Sequence, residues 1–174
     1  IANMTKNITL TLVLTLSFML YSADVSAAKP SPKKWTEQCG EDKKNCIAMI
    51  QKNNDDKNTV AVIYIRMGEV IVDKKKQKAP ILIVNLPLNQ DLLTKPKIVI
   101  DGDVENASLD ANFTNCNNTT GCVANAILND KGIELLKSGD QVSILFKLFD
   151  NKDTLQMDFP LKGFTKAYTK ILEK

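Results

Sequence analysis

The side chains in this chain that have chemistry to offer fall into three groups. Cysteines stand at Cys39, Cys46, Cys116 and Cys122. Carboxylates alternate at Asp101, Asp103 and Glu105, directly after the apolar run Ile98-Val99-Ile100. Lysines occupy Lys74, Lys75, Lys76 and Lys78, interrupted only by Gln77. Thiols allow metal ligation, redox exchange or disulfides, and paired carboxylates allow acid–base work or calcium binding. A lysine cluster attracts anions. Histidine is absent, which removes Ser-His-Asp and Cys-His pairs, His-ligated metals and an imidazole pH switch. No catalytic constellation emerges, and neither a cofactor nor a metal is expected.

Spacing sorts the cysteine options. Neither Cys39 and Cys46 nor Cys116 and Cys122 have the gap of a zinc knuckle, and neither pair is a Cys-x-x-Cys redox motif. In an exported chain the cysteines read as a disulfide framework with three possible connectivities. Their separations favour two local bridges, Cys39 to Cys46 and Cys116 to Cys122. In the chain-entropy model each short loop contributes roughly 2–2.5 kcal/mol, and a bridge across some 80 residues about 4.5 kcal/mol. The long pairing stabilises more but needs distant elements at strict Cα spacing, so local pairing is the simpler arrangement.

The alternating carboxylates lack the rest of a twelve-residue calcium loop, its glycine at position six and its closing glutamate, so a turn with solvated acids is favoured. A glycosidase-type hydrolase would need two carboxyls about 5–9.5 Å apart across a cleft. Asp101 and Asp103 are the candidates for that alternative, and sequence spacing does not establish it. The lysines either dock on an anionic surface or keep an exposed loop or strand edge soluble and unpaired, and the second reading is favoured. Nearly every basic residue is lysine, with Arg66 the only arginine. Together with many Asn and Ile this fits AT-rich coding, which weakens any lysine cluster as evidence. A net charge of +3 is far from the dense cationic surface that nucleic acid requires.

These groups must be positioned by a chain of 174 residues, enough for one domain with a real core. Residues 1–27 read as a signal peptide, with Ile1-Ala2-Asn3 upstream of the initiator Met4 and Lys6 as the positive n-region. The apolar run from Ile8 to Tyr21 is about 14 residues, short of the ~20 of a spanning helix. Val25-Ser26-Ala27 offers a cleavage site, and the competing reading is an uncleaved N-terminal anchor. Residues 28–34, with Pro30 and Pro32, form an extended leader, and 35–174 the folded domain.

Strand signals dominate that domain. Asn53 to Asn58 suits a hairpin loop ahead of a strand over Thr59 to Met67. Val60 to Ile65 is too apolar for one wet face, and β-branching favours strand over buried helix. Val123 to Leu128 is another strand, and Asp130 caps a short helix closed by Ser138-Gly139. Val142 to Phe149 and Thr154 to Phe159 form a hairpin turning at Asp150 to Asp153, with Leu155, Met157 and Phe159 alternating inward. Phe164, Ala167, Tyr168, Ile171 and Leu172 recur with helical period. Lys162, Lys166, Lys170 and Lys174 lie near the opposite side, as a solvated face or one meeting lipid or an acidic partner.

Trp35, Cys39 and Cys46, then Leu86-Pro87-Leu88, Ile98-Val-Ile-Asp101, Phe113-Thr-Asn-Cys116, Gly121-Cys122-Val-Ala124 and Pro160-Leu-Lys-Gly163-Phe164-Thr-x-Ala167, resemble in order the invasion-associated locus B family of exported alphaproteobacterial proteins. Two departures stand out: Asn89 replaces a glycine after the Pro-Leu edge, and the glycine before the next strand is replaced near Lys95-Pro96. The resemblance implies a β-rich protein of the periplasm or outer envelope and supplies no catalytic residue.

The expected fold is mainly β: a sandwich-like single domain with a short internal helix, a C-terminal helix and two disulfides. The expected function is non-enzymatic binding to an envelope or host-surface protein or polymer, including host-cell interaction, with Lys74, Lys75, Lys76 and Lys78 as the candidate surface. A carboxylate-based hydrolase or enzyme accessory, and a small-ligand carrier with an apolar pocket between the sheets, are the alternatives.

Overall fold

The computed structural model describes residues 34–43, 45–53, 59–72, 74–151 and 153–173. The expected signal peptide, the leader up to residue 33, the loop over 54–58 and Lys174 lie outside the described residues. In chain order the elements are β1 (Thr36–Cys39), β2 (Cys46–Asn53), β3 (Thr59–Val72), β4 (Lys75–Leu86), β5 (Lys97–Ile100) and β6 (Ser108–Asp110). They continue with β7 (Asn112–Asn117), β8 (Gly121–Ile127), α1 (Asp130–Ser138), β9 (Gln141–Phe146), β10 (Leu155–Pro160) and α2 (Phe164–Leu172). Among the described residues no helix is long and apolar enough to cross a membrane.

Antiparallel pairing sorts the strands into a six-stranded sheet, β1-β2-β3-β4-β8-β7, and a four-stranded sheet, β10-β9-β5-β6. Alternation decides what each contributes. Ile63 and Ile65 of β3 and Leu82 and Val84 of β4 point into one core, which they share with Ile98 of β5, Ile144 of β9 and Phe159 of β10. The helix α2 packs on β1, β2 and β3 and touches α1. The mainly β, sandwich-like single domain with two helices is therefore the one expected.

The apolar run in β3 needs cover on both faces and has it. Its inward residues Ala61, Ile63 and Ile65 join the core, while Tyr64 packs outside against a second cluster of Val70, Ala79, Ile81 and Ile83. That outer cluster exists because β3 and β4 run further than the sequence implies. Pairing continues from Met67↔Pro80 to Val72↔Lys75. Lys75 to Lys78 are therefore strand residues, which selects the strand edge over the loop among the two placements expected, and the β-branched Val70-Ile71-Val72 opposite them sustains the ladder.

Three local expectations need correction. Asn129, rather than Asp130, caps α1: its side chain accepts from the Gly132 N–H at 2.8 Å, and Asp130 is the first helical residue, favourably placed on the helix dipole. The β9–β10 connection is longer than Asp150–Asp153, because β9 ends at Phe146. Leu148 then bridges Gln90, and Phe149 donates its N–H to the Asn89 carbonyl. Leu172, expected on the buried face of α2, is 52% exposed at the end of the helix, whereas Phe164, Ala167, Tyr168 and Ile171 are buried.

Two glycines are needed where they stand. Gly121 has φ +77°, and a Cβ there would collide with the Leu86 carbonyl, so the turn into β8 requires glycine. Gly163 has φ +84° at the N-cap of α2, against the Trp35 backbone.

Candidate functional site

The cysteines form the two local bridges favoured by their spacing, Cys39–Cys46 and Cys116–Cys122, each with Cα atoms 4.0 Å apart. Both are cross-strand pairs. The first joins β1 to β2 and the second β7 to β8. Since β1 and β7 are the outermost strands of the six-stranded sheet, each bridge clasps one edge. The Glu37 carboxylate lies beside the Cys39–Cys46 bridge, but disulfide sulfurs offer a metal no thiolate, so this cluster is not a zinc site.

The carboxylates build a turn. Asp101 follows β5 in left-handed conformation, with φ 50°. Its Oδ1 accepts the backbone N–H groups of Asp140 at 3.0 Å and Gln141 at 2.9 Å, holding the α1–β9 junction to the end of β5. Asp103 Oδ1 accepts the backbone N–H of Asn106 at 2.9 Å. That bond is the main reason its pKa is lowered, with the Asn106 side chain adding to it. Glu105 is exposed in the same turn. A general acid at neutral pH needs a raised pKa, whereas Asp103 is moved the other way and Asp101 is engaged by two backbone donors.

The lysines are gathered on a ribbon. β2 pairs with β3 only as far as Arg66, and β8 pairs with β4 only from Ile81. Residues 67–72 and 74–79 therefore continue as a two-stranded arm that neither β2 nor β8 pairs with, and the Pro80 carbonyl, which accepts the Leu128 N–H, marks its root. Lys74 sits at its tip with φ 65°, and Lys75, Lys76 and Lys78 follow along β4, all exposed. Lys76 approaches Glu69 at 3.8 Å, a solvent-exposed pair that contributes little. Beside the lysines Ile71 is 73% and Val72 41% exposed. At the root of the arm a cleft of about 480 Å³ is bordered by Arg66, Met67, Glu69, Lys78, Ile171 and Leu172. The run Lys74 to Lys78 is exposed at every position and so carries no alternation, which is why the sequence did not separate a loop from a strand edge.

The other lysine stripe is partly spent on structure. Lys162, Lys166 and Lys170 are exposed, and Lys170 lies 3.3 Å from Glu37, tying α2 to β1.

One site escaped the sequence reading of particular residues, although a pocket between the sheets was among the alternatives. A cavity of about 150 Å³ opens between β5–β6 and the β8–α1 junction, with Leu82, Ile98, Ile100, Leu109, Leu135 and Leu136 in its wall.

The family model for the invasion associated locus B (IalB) protein matches residues 35–172. No match was found among curated proteins or among solved structures. The match begins at Trp35, which a backbone bond to Lys162 ties into the domain, and it takes in both clasped edges and α2. The chain belongs to the invasion associated locus B family.

Proposed function

We propose that this protein is an exported, non-enzymatic component of the bacterial envelope, in the periplasm or on the outer face. It acts by binding an anionic envelope or host-surface protein or polymer, and host-cell interaction is one setting for that binding. Membership of a family named for invasion supports the setting. The observation that carries the binding role is the β3–β4 arm. It stands clear of both neighbouring strands and presents Lys74, Lys75, Lys76 and Lys78 next to exposed Ile71 and Val72. Opposite charge steers encounter, and exposed apolar side chains beside it supply area to bury.

The test is site-specific photocrosslinking in intact cells from position 71, repeated in the fourfold variant K74E/K75E/K76E/K78E and from a control position at Asn112 on β7. Capture from position 71 that is lost on charge reversal supports the arm as the contact surface. Equal capture by the charge-reversed protein, or the same profile from Asn112, removes it.

A further inference from the structure

The geometry points to a second site, independent of the arm: the cavity between β5–β6 and α1 binds a small monoanionic amphiphile, a carboxylate carrying an apolar body of about six to eight carbons. Its volume, about 150 Å³, is that of a cavity which takes up benzene when its walls are aliphatic. The wall here is Leu82, Ile98, Ile100, Leu109, Leu135 and Leu136. These side chains form its aliphatic wall, while Asn106, Ser108, Asn129 and Lys131 border its open mouth, so an apolar body with a polar head is the favoured occupant.

The mouth decides the head group. Its neutral polar side chains already have partners. Asn106 Nδ2 donates to Asp103 at 3.2 Å, Ser108 Oγ donates to the Val104 carbonyl at 2.6 Å, and Asn129 Oδ1 caps α1. The charged group on the rim is Lys131, from the first turn of α1, exposed and without an ion-pair partner within 4.0 Å among the described residues. Asp103 feels its charge, but that carboxylate is held by Asn106 and does not line the cavity. Ile127, 53% exposed, also borders the opening and would be covered by a bound chain. An aliphatic wall with one cation at its lip matches a carboxylate better than an alcohol or an amine.

The test is methyl-resolved NMR of the protein titrated with hexanoate, hexanol and hexylamine. Hexanoate is expected to shift the methyls of Ile98, Ile100, Leu109 and Leu135 saturably, binding about fivefold tighter than hexylamine, the worth of one exposed charge contact. Lys131→Glu should reverse that order, and Ala107→Phe, which fills the cavity from its wall, should abolish the shifts while the rest of the spectrum stays dispersed. Absence of saturable shifts at these methyls, equal affinity for the three head groups, or undiminished binding to Ala107→Phe overturns the assignment. Should Ala107→Phe fail to fold, the order of the three probes on the unmodified protein and on Lys131→Glu still decides it.

Discussion

Trp35 meets Phe164 edge to face, with ring centroids 5.0 Å apart and planes at 85°. The Trp35 indole also donates to the Pro160 carbonyl at 3.0 Å, and Phe164 stacks on Tyr168. The first residue of the matched region is thereby packed into the last helix. Because Trp35 is 2% exposed, Trp35→Ala is expected to lower unfolding free energy by about 3–5 kcal/mol. Trp35→Phe should recover part of the packing and lose the indole bond. Urea unfolding of the three proteins checks this, and a loss in Trp35→Ala no larger than that of a surface substitution contradicts it.

The two clasped edges lie at opposite ends of one sheet. Replacing Cys39 and Cys46 together by alanine should cost about 2–2.5 kcal/mol, and so should replacing Cys116 and Cys122. With no shared partners the two losses should add within about 0.5 kcal/mol. Unfolding midpoints of the two double variants and the fourfold variant give the sum directly. A much larger fourfold loss would mean that the edges communicate.

Asp101 holds two backbone N–H groups that belong to a different part of the chain. Asp101→Ala should therefore destabilise by about 1–3 kcal/mol, whereas Asp101→Asn, which keeps an acceptor oxygen, should lose less. Faster amide exchange at Asp140 and Gln141 in Asp101→Ala is the local signature. Unchanged exchange there would count against the role.

Acid sensitivity follows from the carboxylates whose pKa is lowered. Asp158 accepts from Gln156 Nε2 at 2.8 Å and from Ser143 Oγ at 2.7 Å, and these bonds, the Gln156 bond foremost, hold it below its ordinary 3.8. A depressed folded-state pKa contributes stability that is complete above the unfolded value and lost as pH falls through the folded one. Asp91 and Asp103 act in the same direction, through bonds led by Thr94 and Asn106 respectively. Stability should hold above about pH 5 and decline below pH 4. The gap between the natural protein and Asp158→Asn should narrow across the same interval in urea titrations, and a constant gap would refute the linkage.

Sequence legibility followed the local character of each feature. Leu155, Met157 and Phe159 announce a strand because one face is core and the other water. The short separations of the cysteines favoured their partners without reference to the rest of the fold. Asn129 was passed over because Asp130 beside it has the same capping chemistry, and only the backbone path chooses between them. Asn89, where the resemblance implies a glycine, has φ 71°. Asparagine is the non-glycine residue best suited to that region. The cavity had no residue-by-residue trace, because it is a gap left by five separate elements, β4, β5, β6, β8 and α1.

The covalent clasps also bear on the borders of the larger sheet. Each bridge joins an outermost strand to the strand inside it across a separation of only 7 or 6 residues. A border strand that frays therefore stays leashed to its own neighbour and cannot swing out to pair with another molecule.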